Sequence, residues 1–148
     1  TGTVVAELLA RGLPMEPAWH GGADFGFDTG FSEAKRLLTL HARPSAIVCA
    51  SDLTAIGVVH ALLCAGVAVP GEISVVGYDD IPEARLVHPP LTTIHVPVDA
   101  LGREAVRLLL ARIAEPQTRQ AGRLLPVRLV ERASTALAPL KNIEPEAP

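Results

Sequence analysis

The chain has 148 residues, 49% of them apolar and 3% aromatic, with a formal charge of −3 and a sequence pI near 5.9. That length supports one domain with an aliphatic core. The charge balance, without a Lys/Arg cluster, excludes the concentrated basic patch of a nucleic-acid surface, and no apolar run approaches the ~18–20 residues that span a bilayer. The chain opens TGTVVAELLARG with no initiator Met and no signal-peptide pattern, so it reads as a piece of something longer, with a cytoplasmic location expected. Cys49 and Cys64 have neither metal nor redox spacing and are expected to be buried free thiols in a reducing compartment.

Thr3 to Arg11 reads as a helix with apolar positions Val4, Val5, Leu8 and Leu9, stopped by Gly12. Met15 to Gly22 reads as loop with room for a short strand around Trp19, and Gly21 to Gly30 as a Gly/Asp-rich loop carrying Phe25 and Phe27. A second helix is predicted over Thr29 to His41, with Phe31, Ala34, Leu37 and Leu38 on one side. AIVCA, Ala46 to Ala50, is a short apolar run ending at Ser51-Asp52, which open a third helix over Asp52 to Ala65. Asp52 is the natural N-cap there and Gly66 the natural C′ residue. Pro70-Gly71 turns the chain into a second apolar run, ISVVG, Ile73 to Gly77, which ends at Tyr78-Asp79-Asp80.

Beyond Asp80 the segment Ile81 to Pro90 is irregular. LTTIHV, Leu91 to Val96, is strand-like, and a fourth helix is predicted over Val98 to Ile113. Leu124 to Arg132 reads as a last strand, with Val127 and Leu129 on one face and Arg128, Val130 and Arg132 on the other. The Pro/Glu-rich tail, Ala138 to Pro148, is expected to be disordered.

The two apolar runs lack polar alternation, as parallel strands buried on both faces do. The predicted class is α/β, a three-layer parallel sheet with helices on both faces. A right-handed crossover between the two strands brings Ser51, Asp52, Asp79 and Asp80 to one carboxyl edge, where open α/β sheets bind small ligands. Whether LTTIHV joins the same sheet is left open. The carboxylates also invite an enzyme reading, with Asp79 and Asp80 or Asp52 as acid and base. Against it, no nucleophile elbow, phosphate loop or dinucleotide fingerprint is present, and the histidines at 20, 41, 60, 88 and 95 show no metal-ligand pairing. Neither a cofactor nor a metal is expected.

RPSAI, SDLTAIG, VPGEISVVGYDD, PPLTTIHVP, LGREAVRLLL and LVERAST occur in order between Ala6 and Thr135. In these motifs and their spacing the chain resembles the effector-binding core of lactose/galactose-repressor-type (LacI/GalR) transcriptional regulators. The resemblance implies a periplasmic-binding-protein type I fold. It assigns residues 1–90 to the C-terminal lobe, 91–120 to a crossover strand and helix of the N-terminal lobe, 121–135 to a return strand and 136–148 to a tail. The helix-turn-helix, the hinge and most of the N-terminal lobe are not in this sequence. The fourth helix would pack on that lobe, leaving an apolar stripe exposed here or covered by a partner chain. The rival within the same fold is the C-terminal lobe of a periplasmic sugar-binding protein of a transport system; LVERAST and PPLTTIHVP fit the regulators better.

The resemblance also carries site residues. Asp79, first of the acidic pair in GYDD, would accept hydrogen bonds from a sugar hydroxyl or a base nitrogen, since a carboxylate accepts two directed bonds in a cleft that strips water. Phe25 would stack on the ligand ring, with Phe27 as the alternative. Ser51 stands where relatives carry Asn, which leaves its ligand role open. Asp52 is read first as the helix cap and second as a ligand contact, and Asp80 as serving the local turn or lobe contacts. Asp24 and Asp28 are read as loop residues. The family arginine that clamps the effector lies upstream of this chain, so the pocket here is half a pocket and weak binding is expected. Homodimerisation is implied through Ile56, Leu86 and Val87, near Val59 and His60, while Leu63 is read as core. The partners expected are a small-molecule effector, operator DNA through the helix-turn-helix alone, and a second copy, with no membrane.

Overall fold

The computed structural model describes residues 2–13, 15–22, 24–118 and 121–137. The tail expected to be disordered falls, from residue 138 on, outside the described residues. Helix α1 spans Gly2–Ala10, α2 Phe27–Leu38, α3 Asp52–Cys64 and α4 Val98–Ala114; strands β1, β2, β3 and β4 span Ala46–Val48, Ser74–Asp79, Thr92–His95 and Arg128–Val130. They form one sheet in the order β1-β2-β3-β4. The first three strands run parallel and β4 adds an antiparallel edge, pairing Thr93 with Val130 and His95 with Arg128. The α/β class with a mostly parallel open sheet is therefore as the apolar runs predict, and LTTIHV joins the same sheet. β2 runs two residues further than its apolar core suggests, because Tyr78 and Asp79 pair with Ile94 and His95.

α3 packs against β2, and α2 packs in turn on α3. The approach of the two helices is set by Gly30 and Gly57: a Cβ on Gly30 would overlap the carbonyl of Thr54, and one on Gly57 the carbonyl of Phe27. The core beneath is aliphatic, built around Ala55, Val58, Leu62, Val75 and Leu91. Full burial of side chains such as Leu62, Val75 and Leu91 stabilises the fold by roughly 1.5–3 kcal/mol each.

Three local expectations are corrected. The strand suggested around Trp19 is a 3-10 turn, Pro17–Trp19, held because the indole N–H donates to the Ala42 carbonyl at 3.0 Å and Arg36 reaches the carbonyls of Ala18 and His20. The last strand is three residues long rather than nine, and Leu124 and Val127 before it are exposed. Cys64 is exposed while Cys49 is buried: Cys64 ends α3 on the side that Leu63 also presents to solvent, opposite the buried Ala61 and Leu62.

α4 follows its predicted span but has no buried residue. Val98, Leu101, Val106, Leu109, Leu110 and Ile113 are each more than half exposed. The segment after β4 is tightly bound instead. Ser134 donates its hydroxyl to the Val75 carbonyl at 2.6 Å and accepts the Thr92 amide at 2.8 Å, while the Val75 amide donates to the Ser134 carbonyl at 2.8 Å. Thr92 closes the seam by accepting the Arg132 amide at 2.9 Å. The LVERAST segment thus lies across β2 and β3, with the Ser134 side chain fully buried.

Candidate functional site at the carboxyl edge of the sheet

The edge is organised by the start of α3. Ser51 is extended (φ −150°, ψ 161°) and accepts the Thr54 amide at 3.1 Å, so Ser51 is the N-cap and Asp52 the first helical residue. That corrects the assignment of the cap to Asp52. A hydroxyl one residue earlier reaches the same orphan amide that a carboxylate would have served. The same hydroxyl donates to the Phe25 carbonyl at 2.7 Å. Ser51 is buried and its oxygen is engaged on both sides, so it positions the loop rather than presenting a free polar group.

Asp52 is wholly buried. Its Oδ1 accepts the Thr93 hydroxyl at 2.5 Å and its Oδ2 the Ile81 amide at 2.9 Å. Both oxygens are used in tying α3 to β3 and to the segment after β2, which sets aside its second reading as a ligand contact. Gly77 lies against it so closely that a Cβ there would overlap Oδ1 of Asp52.

Asp79 ends β2 with an exposed side chain. Its φ is 120°, and Asp80 follows at φ 61°. Two successive non-glycine residues in left-handed conformations are uncommon and cost free energy. Partial burial and then the charge of Asp52 push the Asp79 carboxyl above its ordinary value, against a hydrogen bond from the Asp52 main chain that pulls it down. The Ser51-Asp52 dipeptide therefore bears on two of the predicted residues at once: the Ser51 hydroxyl holds the Phe25 carbonyl, and the Asp52 charge helps to raise the Asp79 carboxyl.

Phe25 is 65% exposed, which is unusual for a ring of that area. Its loop is pinned by Asp24, whose Oδ1 accepts the Gly26 amide at 2.8 Å and the Thr29 hydroxyl at 2.5 Å. The Thr29 bond and then the Gly26 bond lower the Asp24 carboxyl below its ordinary value. Asp24 is thus more than the plain loop residue its sequence context suggests: it shapes the turn that displays Phe25. The Phe27 ring lies 6.3 Å from Phe31 and 5.8 Å from His60, on the α2–α3 surface.

That second surface is a shallow depression of about 190 Å³ lined by Phe27, Ile56, Val59, His60, Leu63 and Val87. It brings Ile56 and Val87 together. Leu86, 81% exposed, lies next in chain to Val87. Leu63, read as core, is 42% exposed because its turn of α3 faces outward.

Sequence reading missed the ionic cluster beside Asp79. The Asp80 carboxylate, 1% exposed, accepts from Arg132 through Oδ1 and from His95 Nδ1 at 3.0 Å through Oδ2, with Arg85 at 3.7 Å. Burial pushes this carboxyl up, but the hydrogen bonds from Arg132 and His95 and the charges of Arg132 and Arg85 outweigh it and hold it below its ordinary value. Among the described residues no group of three or more His, Cys, Asp or Glu side chains could hold a metal ion, and no helix is long and apolar enough to cross a membrane.

The carboxyl edge of the parallel sheet thus carries an exposed carboxylate, Asp79, and an exposed aromatic, Phe25, and comparison with known proteins gives the class of the fold. A family model described as a periplasmic binding protein-like domain matches residues 2–135. The ribose operon repressor of Escherichia coli (strain K12) is 40% identical over 129 residues, 87% of this chain and 39% of the repressor. The transcriptional regulator CelR in its cellobiose complex superposes with a TM-score of 0.82 at 33% identity, over 87% of this chain and 39% of that one. The lac repressor dimer bound to operator and the anti-inducer ONPF gives 0.70 at 36% identity, over 76% and 39%. The chain belongs to the periplasmic-binding-protein-like domain family, as an effector-binding domain of the LacI/GalR type. These relatives are transcriptional regulators, not enzymes. The chain spans about 39% of the length of the curated relatives it matches first.

Proposed function

We propose that this chain is the C-terminal part of a bacterial transcriptional regulator's sensor, binding a sugar-like or nucleobase-like effector through Asp79 and Phe25. The observation that carries the reading is the backbone at Asp79 (φ 120°) and Asp80 (φ 61°). Paired left-handed conformations are retained where function requires them, and here they put an exposed carboxylate beside the start of α3. Phe25 offers an apolar face to a ring, Asp79 accepts from its hydroxyls or ring N–H groups, and Ser51 fixes the loop between. An aromatic plus a carboxylate is the minimal set for a polar ring ligand.

In this reading residues 1–90 form the C-terminal lobe together with β3 and β4, which pair in its sheet, and α4 between those two strands crosses to a second lobe that meets its exposed apolar side. The effector is held between the lobes and acts through its unequal affinity for their arrangements. Operator DNA is contacted by a separate head, since this chain carries no basic patch. The regulator works as a homodimer in the cytoplasm, paired through Ile56, Leu86 and Val87. Support for the pairing is the concentration of exposed or half-exposed apolar residues around the 190 Å³ depression.

Thermal-shift measurement of the full-length regulator against sugars, sugar phosphates and purines tests the reading. A true effector at 100-fold its Kd adds about 2.7 kcal/mol, and both Asp79→Ala and Phe25→Ala should abolish the shift. A shift that survives both substitutions moves the site elsewhere. For pairing, Leu86→Glu should turn a sedimenting dimer into a monomer; an unchanged dimer would rule this face out.

A further inference from the structure

Asp80 makes no ligand contact in the reading above, yet its buried carboxylate is met by side chains from three other segments. Arg132 lies just past β4 and is separated from Asp80 by 52 residues; His95 ends β3, 15 residues away; Arg85 belongs to the 3-10 turn Pro82–Arg85. A carboxylate that merely caps its own turn would take nearby backbone amides. Here both oxygens are spent on long-range partners. Those partners are themselves fixed: Arg132 also donates to the Leu91 carbonyl at 2.7 Å, and His95 sits in register opposite Asp79 on the neighbouring strand. The residue after Asp80, Ile81, gives its amide to Asp52. The left-handed pair Asp79-Asp80 is thus held at its far side by an ionic clamp and at its near side by the start of α3.

We propose that Asp80 is the positioning residue of the site: clamped by Arg132 and His95, it holds the end of β2 in the left-handed turn that sets the Asp79 carboxylate against the N-terminus of α3. The inference rests on the reading of Asp79 as the effector's contact for its significance, but its geometry stands without a ligand. It makes the aim of Asp79 depend on β3 and on the segment after β4, so that any shift of those strands changes the ligand edge. Among the described residues, no other side chain on this edge joins the Asp79 turn to the LVERAST segment.

The test uses the 148-residue chain as it is, with Asp80→Asn and, should that variant fold poorly, Arg132→Lys, which keeps the charge and loses the planar fork. Three quantities are read: the thermal midpoint, the titration of the Asp79 carboxyl by carbon NMR, and amide exchange at Ile81 compared with Val58 in the core of α3. In the wild type, partial burial and Asp52 hold the Asp79 carboxyl above its ordinary value. Release of the clamp should bring it down toward that value and speed Ile81 exchange by about tenfold more than Val58 exchange. A lowered midpoint with the Asp79 titration and the Ile81-to-Val58 ratio unchanged would show Asp80 to be structural only and overturn the proposal. Asp79→Asn in the full-length regulator, titrated with D-ribose, cellobiose and hypoxanthine, addresses the ligand reading separately. Binding that survives there sinks the effector role of Asp79 and leaves the NMR result for Asp80 standing.

Discussion

The hydroxyl of Ser51 donates to the Phe25 carbonyl at 2.7 Å while accepting the Thr54 amide at 3.1 Å, so one oxygen starts α3 and holds the loop of the exposed ring. Loss of an N-cap hydroxyl costs about 0.5–2 kcal/mol. Ser51→Ala should therefore lower stability in urea unfolding by about 1–2 kcal/mol and weaken effector binding further by freeing Phe25. Ser51→Thr, which keeps the hydroxyl, should recover most of both. A wild-type unfolding curve for Ser51→Ala would show that this oxygen contributes little.

Asp79 should trade stability for function. A non-glycine residue at φ 120° costs on the order of 1–3 kcal/mol, and glycine adopts that conformation without the penalty. Asp79→Gly should then be at least as stable as the wild type, despite glycine's greater chain entropy, while the effector response disappears. Asp79→Ala should lose the response without the gain. Calorimetry of the two variants decides the matter, and a Gly variant less stable than the Ala variant would contradict the strain argument.

The strands and helices are legible in the sequence where apolar periodicity is strong. AIVCA, ISVVG and the α3 and α4 spans sit within a residue or two of their elements, because apolar strands and apolar helical faces leave a direct mark on composition. The burial of AIVCA on both faces is corrected, since none of Ala46, Ile47 and Val48 in β1 is buried and Val48 is 61% exposed. The carboxyl edge follows from the crossover rule. What sequence does not supply is which partner each polar group takes. Asp52 resembles a cap because Asp caps helices, but Thr93, 41 residues away, claims its Oδ1. Arg132 falls on one face of a long predicted strand with Arg128 and Val130, whereas the strand stops at Val130 and Arg132 turns in to Asp80. Phe27 looks equivalent to Phe25 in sequence, yet α2 begins at Phe27 and carries its ring to His60. Long-range polar pairing has no period, so it leaves no pattern in a single chain.

The two thiols should differ sharply in reactivity. Burial first, and the nearby charge of Asp52 second, push the Cys49 thiol up to about 12, while Cys64 is exposed with its sulfur 3.7 Å from His60 Nε2. The reactive species is the thiolate. Native protein treated with a maleimide at neutral pH should take one label, at Cys64, and denatured protein two. Two rapid labels on the native chain would mean that the sheet end around Cys49 opens readily.

Acid should weaken the fold through Asp80. Its carboxyl lies below the ordinary value of 3.8 in the folded chain, so its contribution is fully present above that value and is lost as pH falls through the depressed folded value. Asp79 has the opposite sign: its carboxyl is raised, the folded chain holds that proton more tightly than the unfolded one, and stability is gained as pH falls through the raised value. The two effects overlap, so the Asp80 contribution is best read in an Asp79→Asn background. There, the stability difference between Asp80 and Asp80→Asn chains should shrink steadily as pH falls below 3.8. A difference that persists unchanged to about pH 2 would mean that the Arg132 and His95 contacts add nothing that depends on the charge of Asp80.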